Sequence, residues 1–230
     1  MTREQPLGTA SARRALDALH DKPLNFDLSE RAQVSREGGW EIEDYCEPLP
    51  SEPPGEPVSG GSWEVAKQLI TDYEFADPSI IRAVYKPDQP LEQRNMLLVA
   101  RLWGLRFRIG VRVGDVISEL RVVDGRQVRV WGWNYQTLQG HLEMGQTDYE
   151  VWKWLDRGTV EFRIHRFSRS ARTGNPLVRL GFRLFGRRKA MAFAEHACKR
   201  MRLLTEAELG QGRDKEDVPR IADHTSIREE

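Results

Sequence analysis

Cysteine is scarce. The 230 residues hold two, Cys46 and Cys198, far apart and outside any Cys-x-x-Cys pair, which argues against a disulfide framework and fits reduced thiols in a cytoplasmic protein. Excess charge of either sign is also missing. Thirty-five Lys and Arg balance thirty-five Asp and Glu, so nothing draws the whole chain to nucleic acid or anionic lipid, and any such attraction has to be local. The longest apolar run, Met96 to Leu105, is interrupted by Arg101 and falls well short of the roughly twenty residues that span a bilayer. The sequence lacks a GxSxG nucleophile elbow, a phosphate-cradling GxxxxGK[ST] and a GxGxxG dinucleotide turn, and the five histidines show no metal-ligand spacing. No cofactor or metal is expected, and nucleic acid is not an expected partner, because the signatures of its binding domains are absent.

What is present divides the chain into a charged arm (1–38), one domain (39–204) and a polar tail (205–230). The arm carries a short helical stripe, Ala15, Leu16 and Leu19, and is expected to be loosely attached. From Glu37 to Pro57 there are seven acidic residues and no basic one, with Trp40 and Ile42 alternating against Glu41 and Glu43 as in a short strand. Pro48 to Gly61 predicts an extended loop. Ser62 is a candidate N-cap for a helix over Trp63 to Tyr73, and Asp77-Pro78 predicts a second helix start. Beyond Lys86 the apolar period shortens to two. Strands are expected over 96–103, 105–113, 116–123, 127–135, 148–155 and 159–167, joined at Asp124-Gly125 and Asp156-Arg157-Gly158 by tight antiparallel turns. Asn175-Pro176 opens a long segment to about Leu204, weakened at Gly186, in which Leu177, Leu180, Leu184, Met191, Ala194, Cys198 and Met201 share a stripe.

Two short helices, consecutive antiparallel strands and one long amphipathic helix define an α+β helix-grip: a curved antiparallel sheet packed on the C-terminal helix, with a cleft between them. That order resembles the START and birch-pollen-allergen (SRPBCC) superfamily in topology. The run Tyr135-Gln136-Thr137-Leu138-Gln139-Gly140-His141-Leu142-Glu143-Met144-Gly145, preceded by Trp131-Gly132-Trp133-Asn134, resembles the signature of uncharacterised protein family 0548. Phe167-Ser168-Arg169 is similar to that family's second motif, with Ser170 where a proline is common. The resemblance covers about residues 39 to 204. It implies one domain and an important loop, and supplies no reaction.

Three features are candidates for function. His141 and Glu143 lie two residues apart between Gly140 and Gly145, and serve either as an acid/base pair or as backbone ties that close the loop. Trp131, Trp133 and Tyr135 share one face of a strand, as core or as the wall of a pocket, with the Thr137 hydroxyl beside them. From Arg163 to Lys189 there are nine basic residues and no acidic one. They either meet the acidic stretch 37–56 or hold an anionic group, with Arg163 and Arg169 as anchors at the pocket mouth. The expected function is binding of a small apolar or amphipathic molecule, anionic ones included, between the sheet and the last helix. Two alternatives remain: a cyclase, isomerase or hydrolase using His141 and Glu143, and an interaction module holding an acidic partner through segment 163–189. The sequence leaves the oligomeric state open.

Overall fold

Strands β1 (Glu41–Leu49), β2 (Ile81–Val84), β3 (Asn95–Leu102), β4 (Leu105–Val123), β5 (Arg126–Thr137), β6 (Glu143–Trp154) and β7 (Val160–Ser170) form one antiparallel sheet among the described residues, in the order β1-β7-β6-β5-β4-β3-β2. The structure is a computed structural model that describes residues 10–86, 89–102, 105–171 and 187–210. Helices α1 (Ala10–Asp17), α2 (Ser62–Thr71) and α3 (Arg187–Leu209) complete it, with a 3-10 turn at Leu28–Gln33. β2 to β7 run as a meander, and β1 crosses over to pair with β7. The β4–β5 turn takes positive φ at Asp124 (50°) and Gly125 (73°), the two-residue hairpin geometry that Asp-Gly favours.

α3 lies against β1, β7 and α2, and α2 lies against β5, β6 and β7. Ala194, Ala197, Cys198, Met201 and Leu204 of α3 are buried, so the helix-grip arrangement is in place. Met191, expected on the same stripe, is 38% exposed. The Asn175-Pro176 start, the weak point at Gly186 and Leu177, Leu180 and Leu184 lie outside the described residues. α3 runs past the expected end at Leu204 to Leu209.

Several local features differ from expectation. The segment expected as a loose arm contains α1, and Leu16 of that helix packs with Leu19 of the turn after it against Val84, Leu97, Val99 and Leu138 on the sheet's outer face. Arg112 ties it down by donating to the carbonyls of Leu19 (2.8 Å), His20 (2.9 Å) and Lys22 (3.1 Å). β4 is one strand where two were expected. A bulge between Val113 and Val116 absorbs Gly114 and Asp115 and returns the apolar alternation to the same face. The helix expected at Asp77-Pro78 is a turn, held by the Asp77 carboxylate accepting the Ser79 N–H (2.8 Å), and Ile81–Val84 becomes β2. β-Branched Ile81 and Val84 suit a strand, and β3 offers a backbone to pair with. Ser62 does not cap α2; Gly61 holds that position without a side-chain bond, and the Glu52 carboxylate accepts the Trp63 N–H at 2.7 Å instead.

Candidate functional site

Alternation along each strand and the cross-strand register together order the inner face into rows. Ser118, Trp131, Val151, Phe162 and Glu47 form one, and Val116, Trp133, Tyr149, Ile164 and Tyr45 the next. The third, Val113, Tyr135, Thr147, Arg166 and Glu43, turns polar halfway across. The residues after α2 reach into this face: Tyr73 and Phe75 are fully buried, with ring centroids 6.3 and 4.6 Å from Tyr149. Trp133 is buried and donates its Nε1–H to the Ile70 carbonyl (3.2 Å), and Trp131 is buried with the Lys67 ammonium 5.3 Å from its ring centre. Tyr135 is only half-buried, like Ile109 and Val116 on the same face. Its hydroxyl accepts from Tyr149 at 3.3 Å. Burial and the neighbouring Tyr135 raise the Tyr73 and Tyr149 phenols well above their ordinary value.

The polar end of the third row adjoins the loop between β5 and β6. Arg166 pairs with Glu143 and with Glu43 (3.2 Å). Burial works against its charge, but Glu143, Tyr135 and Glu43 outweigh it and hold the guanidinium above its ordinary range. His141 and Glu143 do meet, through the Glu143 backbone N–H, which His141 Nδ1 accepts at 2.9 Å; the carboxylate itself belongs to Arg166. Nδ1 is therefore an acceptor and the neutral ring carries its proton on Nε2. Burial and then the nearby Arg166 push the imidazole down to about 4.

That shift has a consequence for acid stability. Between the ordinary 6.5 and about 4 the unfolded chain takes up a proton that the folded chain refuses, so His141 lets stability fall as pH drops through that window. Urea midpoints are expected to decline from pH 6.5 to 4, and less steeply in His141→Gln; equal slopes would remove His141 as the cause.

Thr137 holds the loop shut. Its hydroxyl accepts the Gly145 N–H (2.9 Å) and faces Asn25 Oδ1 (2.5 Å), while Asn25 Nδ2 donates to the Glu143 carbonyl (2.8 Å). The structure thus brings Trp131, Trp133, Tyr135 and Glu143 to one face, with His141 and Thr137 bracing the adjoining loop. It does not bring Arg163 and Arg169 there. Residues 163, 165, 167 and 169 alternate to the outer face, where Arg163 stacks on Trp152 (3.9 Å) and bonds Glu161, and Arg169 stacks on Trp40 (4.4 Å). The inner arginine is Arg166, missed in the sequence although Val160, Phe162 and Ile164 set the alternation that it continues. Arg163 borders an outer-face groove of about 460 Å³ with Asp44, Asp148, Glu150, Trp152 and His165. Among the described residues no group of three or more His, Cys, Asp or Glu side chains is placed to hold a metal ion, and no helix is long and apolar enough to cross a membrane.

A family described as a domain of unknown function, DUF1990, matches residues 29–192. The chain belongs to this family. No curated protein matches this DUF1990 chain. Among solved structures it is similar to Ara h 8.0201, at 7% identity and a TM-score of 0.44 over 73% of this chain and 98% of that one. Norcoclaurine synthase from Thalictrum flavum, in complex with dopamine and hydroxybenzaldehyde, matches at 7% identity and a TM-score of 0.39 over 76% and 91%. Human STARD10 matches at 10% identity and a TM-score of 0.36 over 90% and 88%. These are resemblances alone; the helix-grip arrangement of the DUF1990 domain rests on α3 packed against β1, β7 and α2.

Proposed function

We propose that the domain binds a small amphipathic molecule on the inner face of the sheet, between β4–β5 and α3. The apolar part lies over Val116, Trp133 and Tyr135, and the polar part reaches the Arg166, Glu143 and Tyr135 groups. The observation that carries this reading is the third row, where a half-buried tyrosine stands between an apolar wall and a partly buried ion pair. Such a boundary suits a ligand with one apolar and one hydrogen-bonding end. Two carboxylates already offset Arg166, so the polar end is better matched by a hydroxyl, carbonyl or amide than by an added anion. The acid/base alternative has less support, because Glu143 is engaged by Arg166 and a histidine pushed to about 4 is a weak base near neutral pH. As for the interaction-module alternative, Arg163, Arg166 and Arg169 each have partners within the fold, and the side chains from Arg172 to Lys189 lie outside the described residues.

The test is titration with the neutral fluorophore N-phenyl-1-naphthylamine. Saturable enhancement is expected, with affinity weakened at least about tenfold in Val116→Arg while the circular dichroism spectrum is kept. Enhancement that never saturates, or a Val116→Arg protein that binds as tightly as the parent, would overturn the proposal.

A further inference from the structure

The sheet has an unusual free margin. β3 accompanies β4 only as far as the pair Asn95↔Arg112, with one more bond from the Val113 N–H to the Arg94 carbonyl (2.9 Å). Past the bulge at Gly114 and Asp115, β4 continues from Val116 to Val123 with β5 alone beside it among the described residues. This leaves one backbone edge of the strand open over roughly 26 Å at the usual rise per residue. Its inner-face side chains are poorly covered: Leu120 is 43% and Val122 68% exposed. Open edges of this length are templates for another strand unless they are short, covered or guarded by charge.

The side chains along this edge indicate which strand fits. Residues 117 to 123 read Ile-Ser-Glu-Leu-Arg-Val-Val. Set antiparallel to a copy of itself about Leu120, the segment places Leu120 opposite Leu120, Glu119 opposite Arg121, Ser118 opposite Val122 and Ile117 opposite Val123. Every residue meets one from its own face of the sheet, since Leu120 and Val122 share the inner side and Glu119 and Arg121 the outer. Both charged pairs are of opposite sign, and the two exposed apolar side chains are covered at once. We propose that the Val116–Val123 edge joins two copies of this chain by a two-fold antiparallel pairing, continuing the sheet from one protomer into the other. The contact is isologous, so it closes on itself as a dimer and does not propagate. A ladder of this length lies at the small end of stable interfaces, which makes the dimer reversible and concentration-dependent.

Sedimentation velocity on the full chain is expected to show a monomer–dimer equilibrium. Val122→Lys, at a largely exposed position, is expected to weaken dimerisation at least about tenfold while leaving the thermal midpoint unchanged at dilutions where the parent is monomeric. The register is tested by oxidation in a Cys46→Ser background, since Cys46 is an exposed thiol. Leu120→Cys is expected to form a covalent dimer efficiently, because directly opposed Cβ atoms lie about 5 Å apart. Ser118→Cys alone should not, whereas Ser118→Cys mixed with Val122→Cys should cross-link. A protein monomeric at all concentrations, a dimer indifferent to Val122→Lys, or cross-linking equal at positions 118 and 120 would each overturn the proposal.

Discussion

Replacing Lys153 by alanine is expected to lower the free energy of unfolding by about 3–5 kcal/mol, read from urea denaturation, because it strands a buried carboxylate. The Lys153 side chain has no exposure, and its Nζ lies 2.6 Å from Glu52 Oε2 and 2.8 Å from the Glu56 carbonyl. Glu52 is almost as buried. Besides the ammonium it accepts the Val58 N–H (3.0 Å) and the Trp63 N–H, so one carboxylate ties the proline-rich loop, the start of α2 and strand β6 together. Without the ammonium these bonds hold an uncompensated anion in the interior. The double variant Glu52→Gln/Lys153→Met, which removes both charges, is expected to lose less than Lys153→Ala. A loss under about 1 kcal/mol for Lys153→Ala would mean that water reaches the pair.

The second large effect is expected at Gly145, where alanine should cost about 3 kcal/mol or more, or prevent folding outright. Gly145 has φ of 149°, and an added Cβ would come within 2.0 Å of the Phe167 carbonyl oxygen on the neighbouring strand. That oxygen is backbone and cannot step aside without opening the β6–β7 ladder. Gly140 in the same loop is the control. It also has positive φ (94°), yet a Cβ there would approach only the Lys22 Nζ, at 3.7 Å, so alanine should cost about 1 kcal/mol of backbone strain. Thermal midpoints that fall equally in the two variants would contradict the close approach. The two glycines that bound His141 and Glu143 thus answer different needs, one a turn and the other a tight crossing of strands.

Much of the sheet was legible because it follows local rules. Apolar alternation marked β3 to β7, and Asp124-Gly125 marked its hairpin. The edge partner of β7 was not legible: Glu43 meets Arg166 and Asp44 meets His165 only because two distant segments come together, although the opposite charges of those stretches hinted at it. Asp77-Pro78 carries a helix-start signal, but tertiary pairing with β3 prevailed over it. The loop motif was visible as a sequence, whereas the use of the Glu143 backbone for His141 and of its carboxylate for Arg166 depends on bond directions that spacing does not encode. The charge of Arg163 and Arg169 stands out in the sequence without saying which face they take, whereas the alternation of Phe162 and Ile164, continued by one more step, points to Arg166.

The crossover of β1 orders events during synthesis. β1 leaves the ribosome before every other strand of the sheet, yet the backbone that receives it, from Val160 to Ser168, emerges after all the rest. Until then the nascent strand waits unpaired, and Glu41, Glu43, Asp44 and Glu47, with no basic residue among them, give it the mutual repulsion that discourages pairing between neighbouring chains. Translation of β7 therefore sets the earliest moment at which the first strand made can be zipped into place.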